Sequence, residues 1–121
     1  MARKKKYPYS FNSKVAGVTY KNPDGSDRQK IIKKHCKPGM VLIFKREIDN
    51  PYGSYATGVW VKSKSLFSSS EFQIGYLSSS VAEEVVEHIE SGQTARAKIA
   101  NITGGTKGKE TRGVNIEITL E

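Results

Sequence analysis

The amino-acid sequence predicts a mainly β fold with two α-helices, arranged as a small curled six-stranded sheet or barrel. Three observations predict it. Six short segments rich in β-branched and aromatic residues are separated by turn signals; two segments instead carry helix-type apolar spacing behind an N-capping pattern; and 121 residues suit one domain with a modest core. At 36% hydrophobic and 26% charged, the composition is globular and lies outside the disordered class.

The strands are expected at 13–20, 40–46, 56–64, 71–76, 94–102 and 112–120. Alternation is clearest in the last two, where Ala95, Ala97 and Ile99, then Val114, Ile116, Ile118 and Leu120, mark one face. The first helix is expected near 27–37, opened by a capping box at Ser26–Gln29 and stopped by Pro38-Gly39. Its residues Ile31, Ile32, His35 and Cys36 form an inward stripe, and Lys30, Lys33, Lys34 and Lys37 an outward cationic one. The second helix opens at Ser80 with Glu83 three residues on, and ends at Gly92. Val81, Ala82, Val85, Val86 and Ile89 make its core stripe, and Glu83, Glu84, Glu87 and Glu90 its outer face. The stretches 63–70 and 104–108 read as loops, the second as a hairpin tip.

The net charge of +8 is unevenly placed. Residues 1–46 hold 13 Lys and Arg against two Asp, whereas 47–121 hold seven basic and ten acidic residues. A basic N-terminal half points to a polyanion, of which nucleic acid is the commonest, and the alternative for the run Arg3–Lys6 is a solvated tail. One cysteine excludes an internal disulfide and favours a reducing, cytoplasmic setting. No apolar run approaches the length of a membrane span, and no signal-peptide core follows the basic start.

Catalytic constellations are missing. His35 and His88 stand at helical positions without partners at metal-ligand spacing, so a structural role is expected for both, with no metal and no cofactor. Cys36 reads as a small buried residue. The glycine-rich stretch 104–113 lacks the spacing and context of a phosphate loop. A non-enzyme is expected. What remains is aromatic material beside basic material: Tyr20, Tyr52, Tyr55 and Tyr76 fall at expected turns and strand ends, where single-strand binders place stacking rings. The alternative is that these rings pack against the sheet and wet only their hydroxyls.

The segments VAGVTY (15–20), LIFKREIDNPYG (42–53), IGYLSSSVAEEV (74–85) and ITGGTKGKETRGVNIEITL (102–120), in this order, resemble the HIRAN domain. That family occurs alone in bacteria and fused to helicase-like DNA translocases that remodel stalled replication forks. The resemblance implies an OB-like or SH3-like six-stranded barrel over 13–121, following a basic tail at 1–12. It implies binding of single-stranded DNA or DNA 3′ ends, a role in DNA repair or processing, and a helicase or nuclease as candidate partner.

Carried over by position, Tyr20 is the ring that packs on a terminal base, and Asn50 and Tyr52 surround the last nucleotide. Tyr76 takes a His-or-Tyr position, Ser79 a phosphate-contacting one, and Arg46 the family arginine, as ligand or loop brace. Lys30, Lys33, Lys34 and Lys37 would add a supporting basic surface. Four positions depart from the family pattern. Gly53 replaces the aspartate that accepts a hydrogen bond from the 3′-hydroxyl; Thr19 replaces a basic residue, Tyr55 an asparagine and Ser79 a lysine. The resemblance therefore predicts DNA binding with little discrimination between 3′-hydroxyl and 3′-phosphate ends. A protein-interaction module on the same scaffold and a single-stranded RNA binder are the alternatives.

Overall fold

Period-two alternation decides the inner face of the sheet. In the computed structural model, which describes residues 6–64 and 69–121, Val114, Ile116, Ile118 and Leu120 are all buried on one face of the last strand. Ala97 and Ile99 are buried beside them on the preceding strand, while Lys98, Asn101 and Glu117 turn outward or lie at the margin.

The chain runs β1 (Tyr9–Lys14), α1 (Arg28–His35), β2 (Val41–Arg46), β3 (Thr57–Lys64), β4 (Ser69–Tyr76), α2 (Ser79–Glu90), β5 (Ala95–Thr103) and β6 (Gly113–Leu120). All six strands join one antiparallel sheet in the order β1-β6-β5-β2-β3-β4. Helix α1 packs on β4 and α2 on β5. Ile31 and Ile32 from α1 and Ala82 and Val85 from α2 complete a single apolar cluster with Val59, Val61 and Ile74.

The mainly β class with two helices is as expected, but the sheet does not close into a barrel. Among the described residues its two edges meet at one point, where Ala16 and Tyr76 exchange backbone hydrogen bonds of 2.8 and 2.9 Å. Gly75 permits that approach, because a Cβ there would collide with the Ala16 carbonyl oxygen.

Five other expectations change. The first strand occupies Tyr9–Lys14 rather than 13–20, because Gly17 takes φ +74° and a Tyr20 N–H to Gly17 carbonyl bond turns the chain away. Helix α1 is capped by Asp27, whose carboxylate accepts from the Gln29 and Lys30 amides; Ser26 instead bonds Asp24 and Asn22. Helix α2 follows Ser78, whose side chain makes no capping bond, so Ser80 lies inside the helix. Ile89 is exposed, and His88 is buried in its place with a ring nitrogen 2.9 Å from the Glu121 carbonyl. In the stretch expected as a loop, Ser63 and Lys64 pair with Ser70 and Ser69 in the sheet, and 65–68 lie outside the described residues, as do Arg3, Lys4 and Lys5 of the basic run. The hairpin tip at 104–108 is as expected, with Thr106 and Lys109 bridged across it.

Candidate nucleic-acid interface

Between Arg46 and Thr57 the chain turns on itself repeatedly. The Glu47 amide donates to the Ala56 carbonyl at 2.7 Å, closing the loop neck, and successive turns are tied by Asn50 N–H to Glu47 O, Gly53 N–H to Asn50 O and Ala56 N–H to Gly53 O. Asn50 accepts the Tyr52 amide on its side-chain oxygen at 2.8 Å, the Asx-turn geometry that favours asparagine before proline here. Gly53 follows at φ +144°, where a side chain is disfavoured. This folding leaves the Tyr52 ring 96% exposed.

The loop forms one wall of a cleft of about 480 Å³. Tyr76 and Leu77 lie across from it, and Ser79, Ala82 and Glu83 at the start of α2 form the far side. Four expected site residues, Asn50, Tyr52, Tyr76 and Ser79, thus line one cavity. Tyr55 lines it too. Among the described residues no Lys or Arg does, so the wall itself is polar, aromatic and, at Glu83, acidic.

Arg46 and Tyr20 stand outside that lining. Arg46 braces the loop: its Nε donates to the Ser54 carbonyl at 2.9 Å, its guanidinium lies 5.3 Å from the Tyr55 ring centre, and its Nη1 pairs with Glu90. Tyr20 is 70% exposed on the turn after Gly17. Lys30, Lys33, Lys34 and Lys37 are exposed along and just beyond α1, away from the cleft lining.

Two residues that sequence reasoning passed over organise the site. Glu47 Oε1 accepts the Tyr76 hydroxyl and the Asn50 amide, each at 3.0 Å, so one carboxylate oxygen orients a residue from the loop and one from β4. Gly58 leaves it room, since a Cβ there would sit 3.2 Å from Glu47 Oε2 and 2.8 Å from Trp60 Nε1. Trp60 Nε1 is itself buried without a hydrogen-bond partner among the described residues. Arg28 is only 5% exposed. Its Nε donates to Asn22 Oδ1 at 2.7 Å, its Nη1 donates to the Gly17 carbonyl at 2.8 Å, and its guanidinium lies 5.4 Å from the Tyr76 ring centre. Arg28 therefore ties the Tyr20 turn to Tyr76. The signal for Glu47 was the Asn-Pro-Tyr turn three residues later; for Arg28 no local signal distinguishes it from the lysines that follow.

Both histidines and the cysteine have packed surroundings. His35 stacks on Phe72 with ring centres 4.6 Å apart, His88 lies 4.8 Å from the Tyr7 ring, and Cys36 is buried. Among the described residues no group of three His, Cys, Asp or Glu could hold a metal ion, and no helix is long and apolar enough to cross a membrane.

The fold has counterparts among solved structures. It is similar to the crystal structure of the HIRAN domain of human HLTF, with a TM-score of 0.58 and 14% identity over 92% of this chain and 74% of that one. It is also similar to the crystal structure of a protein from Lactobacillus plantarum, with a TM-score of 0.58 and 17% identity over 89% of this chain and 91% of that one. No curated protein matches the chain. The family model for the HIRAN domain matches residues 8–121, nearly the whole sequence, and the chain therefore belongs to the HIRAN domain family.

Proposed function

We propose that this domain binds single-stranded DNA or DNA ends without catalysing a reaction, and that the cleft beside α2 receives the terminal nucleotide. HIRAN domains are in general DNA-binding modules. The observation that carries the finer reading is the convergence of Asn50, Tyr52, Tyr76 and Ser79 on one cavity. A base fits such a wall because aromatic faces stack on it at roughly 1–3 kcal/mol each, while Asn50 and the Ser79 hydroxyl offer hydrogen bonds. The free N–H groups at the start of α2 suit a phosphate of the same strand. Tyr20, joined to Tyr76 through Arg28, supplies an outer ring, and Arg46 acts as a loop brace. DNA repair or processing, beside a helicase or nuclease, is the setting this reading suits.

Fluorescence anisotropy with labelled single-stranded oligonucleotides across a salt series tests it. Binding should weaken as salt rises, and Tyr52→Ala and Tyr76→Ala should each weaken it by about tenfold, from the loss of one stacked base. No binding at low salt, or unchanged affinity in both variants, would sink the reading. Oligonucleotides ending in a 3′-hydroxyl or a 3′-phosphate should bind alike, because Gly53 has no side chain to accept from the hydroxyl. A strong hydroxyl preference would contradict that part alone.

A further inference from the structure

Four of the cationic groups on the sheet are neutralised by acids, while Lys14 and Lys62 there have no ion pair among the described residues. Lys45, Arg46, Arg96 and Lys98 pair with Glu71, Glu90, Glu121 and Glu117. On α1, the ammonium groups of Lys30, Lys33, Lys34 and Lys37 are exposed and have no ion pair among the described residues. Nor do Lys107 and Lys109, exposed at the β5–β6 tip, or the half-buried Arg112 at its base.

Tertiary structure joins the two elements that carry these groups through Gln29 and Arg112. Gln29 Nε2 donates to the Arg112 carbonyl at 2.8 Å and to the Val18 carbonyl at 3.0 Å, and Gln29 Oε1 accepts the Arg112 amide at 2.8 Å. Lys33 follows one helical turn after Gln29 and so shares its flank. The Arg112 guanidinium folds back over Gly105, where a Cβ would lie 2.6 Å from Cζ. The acids nearby are few: Asp27 is engaged in the helix cap, Asp24 is held below the usual carboxylate range by its hydrogen bonds from Ser26, and Glu110 sits on the tip. Like charges held side by side repel, and a polyanion removes that cost.

Its chemistry can be narrowed. The lysine row and the tip carry no free stacking ring of their own, since His35 lies against Phe72 and residues 104–112 contain no aromatic, and the exposed Tyr20 stands on the neighbouring turn. Binding here would rest on phosphate charge, which is densest on a duplex, at about one phosphate per 3.4 Å along each strand. Lys30 to Lys34 cover about 6 Å of helix axis, the rise of roughly two such phosphates. The row begins close to the cleft, because Arg28, the first residue of α1, lies over the Tyr76 ring.

We infer that α1 and the β5–β6 tip form a second nucleic-acid contact, which grips the phosphate backbone of the duplex adjoining the end held in the cleft. This rests on the nucleic-acid reading of the cleft, but it can fail separately. The probe is a ligated DNA dumbbell, whose duplex has no free end for the cleft. The wild type should bind it with a linear fall of log affinity against log salt. Lys30→Gln/Lys33→Gln/Lys34→Gln should lower affinity by about tenfold or more near 50 mM salt and flatten the slope by about 0.9 for each phosphate no longer neutralised. Lys107→Gln/Lys109→Gln should do the same to a smaller degree. A dumbbell that does not bind at low salt, or lysine variants that bind it like the wild type, would overturn the inference while leaving single-strand binding at the cleft to its own test.

Discussion

Tyr76 and Asn50 share one acceptor, Glu47 Oε1, and each is 3.0 Å from it. Removing that oxygen would free the tyrosine hydroxyl and the asparagine amide together, and both would then have to be reordered when a ligand arrives. Glu47→Ala should therefore weaken oligonucleotide binding by about fivefold to tenfold, matching the ~1 kcal/mol typical of such bonds. Glu47→Gln keeps a carbonyl acceptor in the same place and should stay within about threefold of the wild type. Equal losses in the two variants would show that charge rather than positioning matters. Arg28 illustrates the same theme: a buried guanidinium whose neutral partners come from the Gly17 turn and Asn22. Arg28→Ala should cost about 2–4 kcal/mol in urea unfolding, because Asn22 and Gly17 lose a charged donor inside the fold.

At the level of elements, the two helices begin differently despite similar sequence signals. Asp27 accepts from two amides of α1, while the Ser78 side chain caps nothing at α2. Asp27→Ala should destabilise the domain by about 1 kcal/mol and Ser78→Ala by a few tenths, read from urea midpoints at constant slope. The capping box expected at Ser26–Gln29 fails for a tertiary reason: the Gln29 amide is drawn to Val18 and Arg112, so it cannot return to the helix start. The meeting of the sheet edges depends on Gly75. Gly75→Ala should cost about 2–3 kcal/mol by driving Ala16 away from Tyr76, and it should reduce DNA affinity as well, since Tyr76 lies in the cleft.

Across the whole molecule, Cys36 reports on the integrity of the core. Burial pushes its thiol up to about 11, from an ordinary value of 9.0. The native state thus holds its thiol proton to higher pH than the unfolded chain. The associated stability is fully present below pH 9 and is lost as pH rises toward 11. The wild type should lose up to about 2 kcal/mol more than Cys36→Ala over that window, measured by urea unfolding. At pH 8, labelling by a disulfide reagent should follow unfolding rather than direct attack, and fast labelling of native protein would contradict the burial.

Much of this domain was legible in the order of its residues. Period-two runs placed β2, β3, β5 and β6 to within a residue or so, and the Asn-Pro-Tyr turn announced the loop that walls the cleft. These features are legible because alternation, turn chemistry and glycine conformations act over a few neighbouring residues. Where the signal was local but ambiguous, as in 15–20, one glycine at φ +74° was enough to move the first strand toward the N-terminus. Only the tertiary structure decided that Glu47 joins Tyr76 to Asn50, that Arg28 ties the Tyr20 turn to the cleft, and that Gln29 of α1 bonds the backbone of Arg112 at the base of the β5–β6 tip. The physical reason is the same in each case. The partners are brought together by strand pairing and core packing across long stretches of chain, and no pattern within a single segment records which distant atom a side chain will meet.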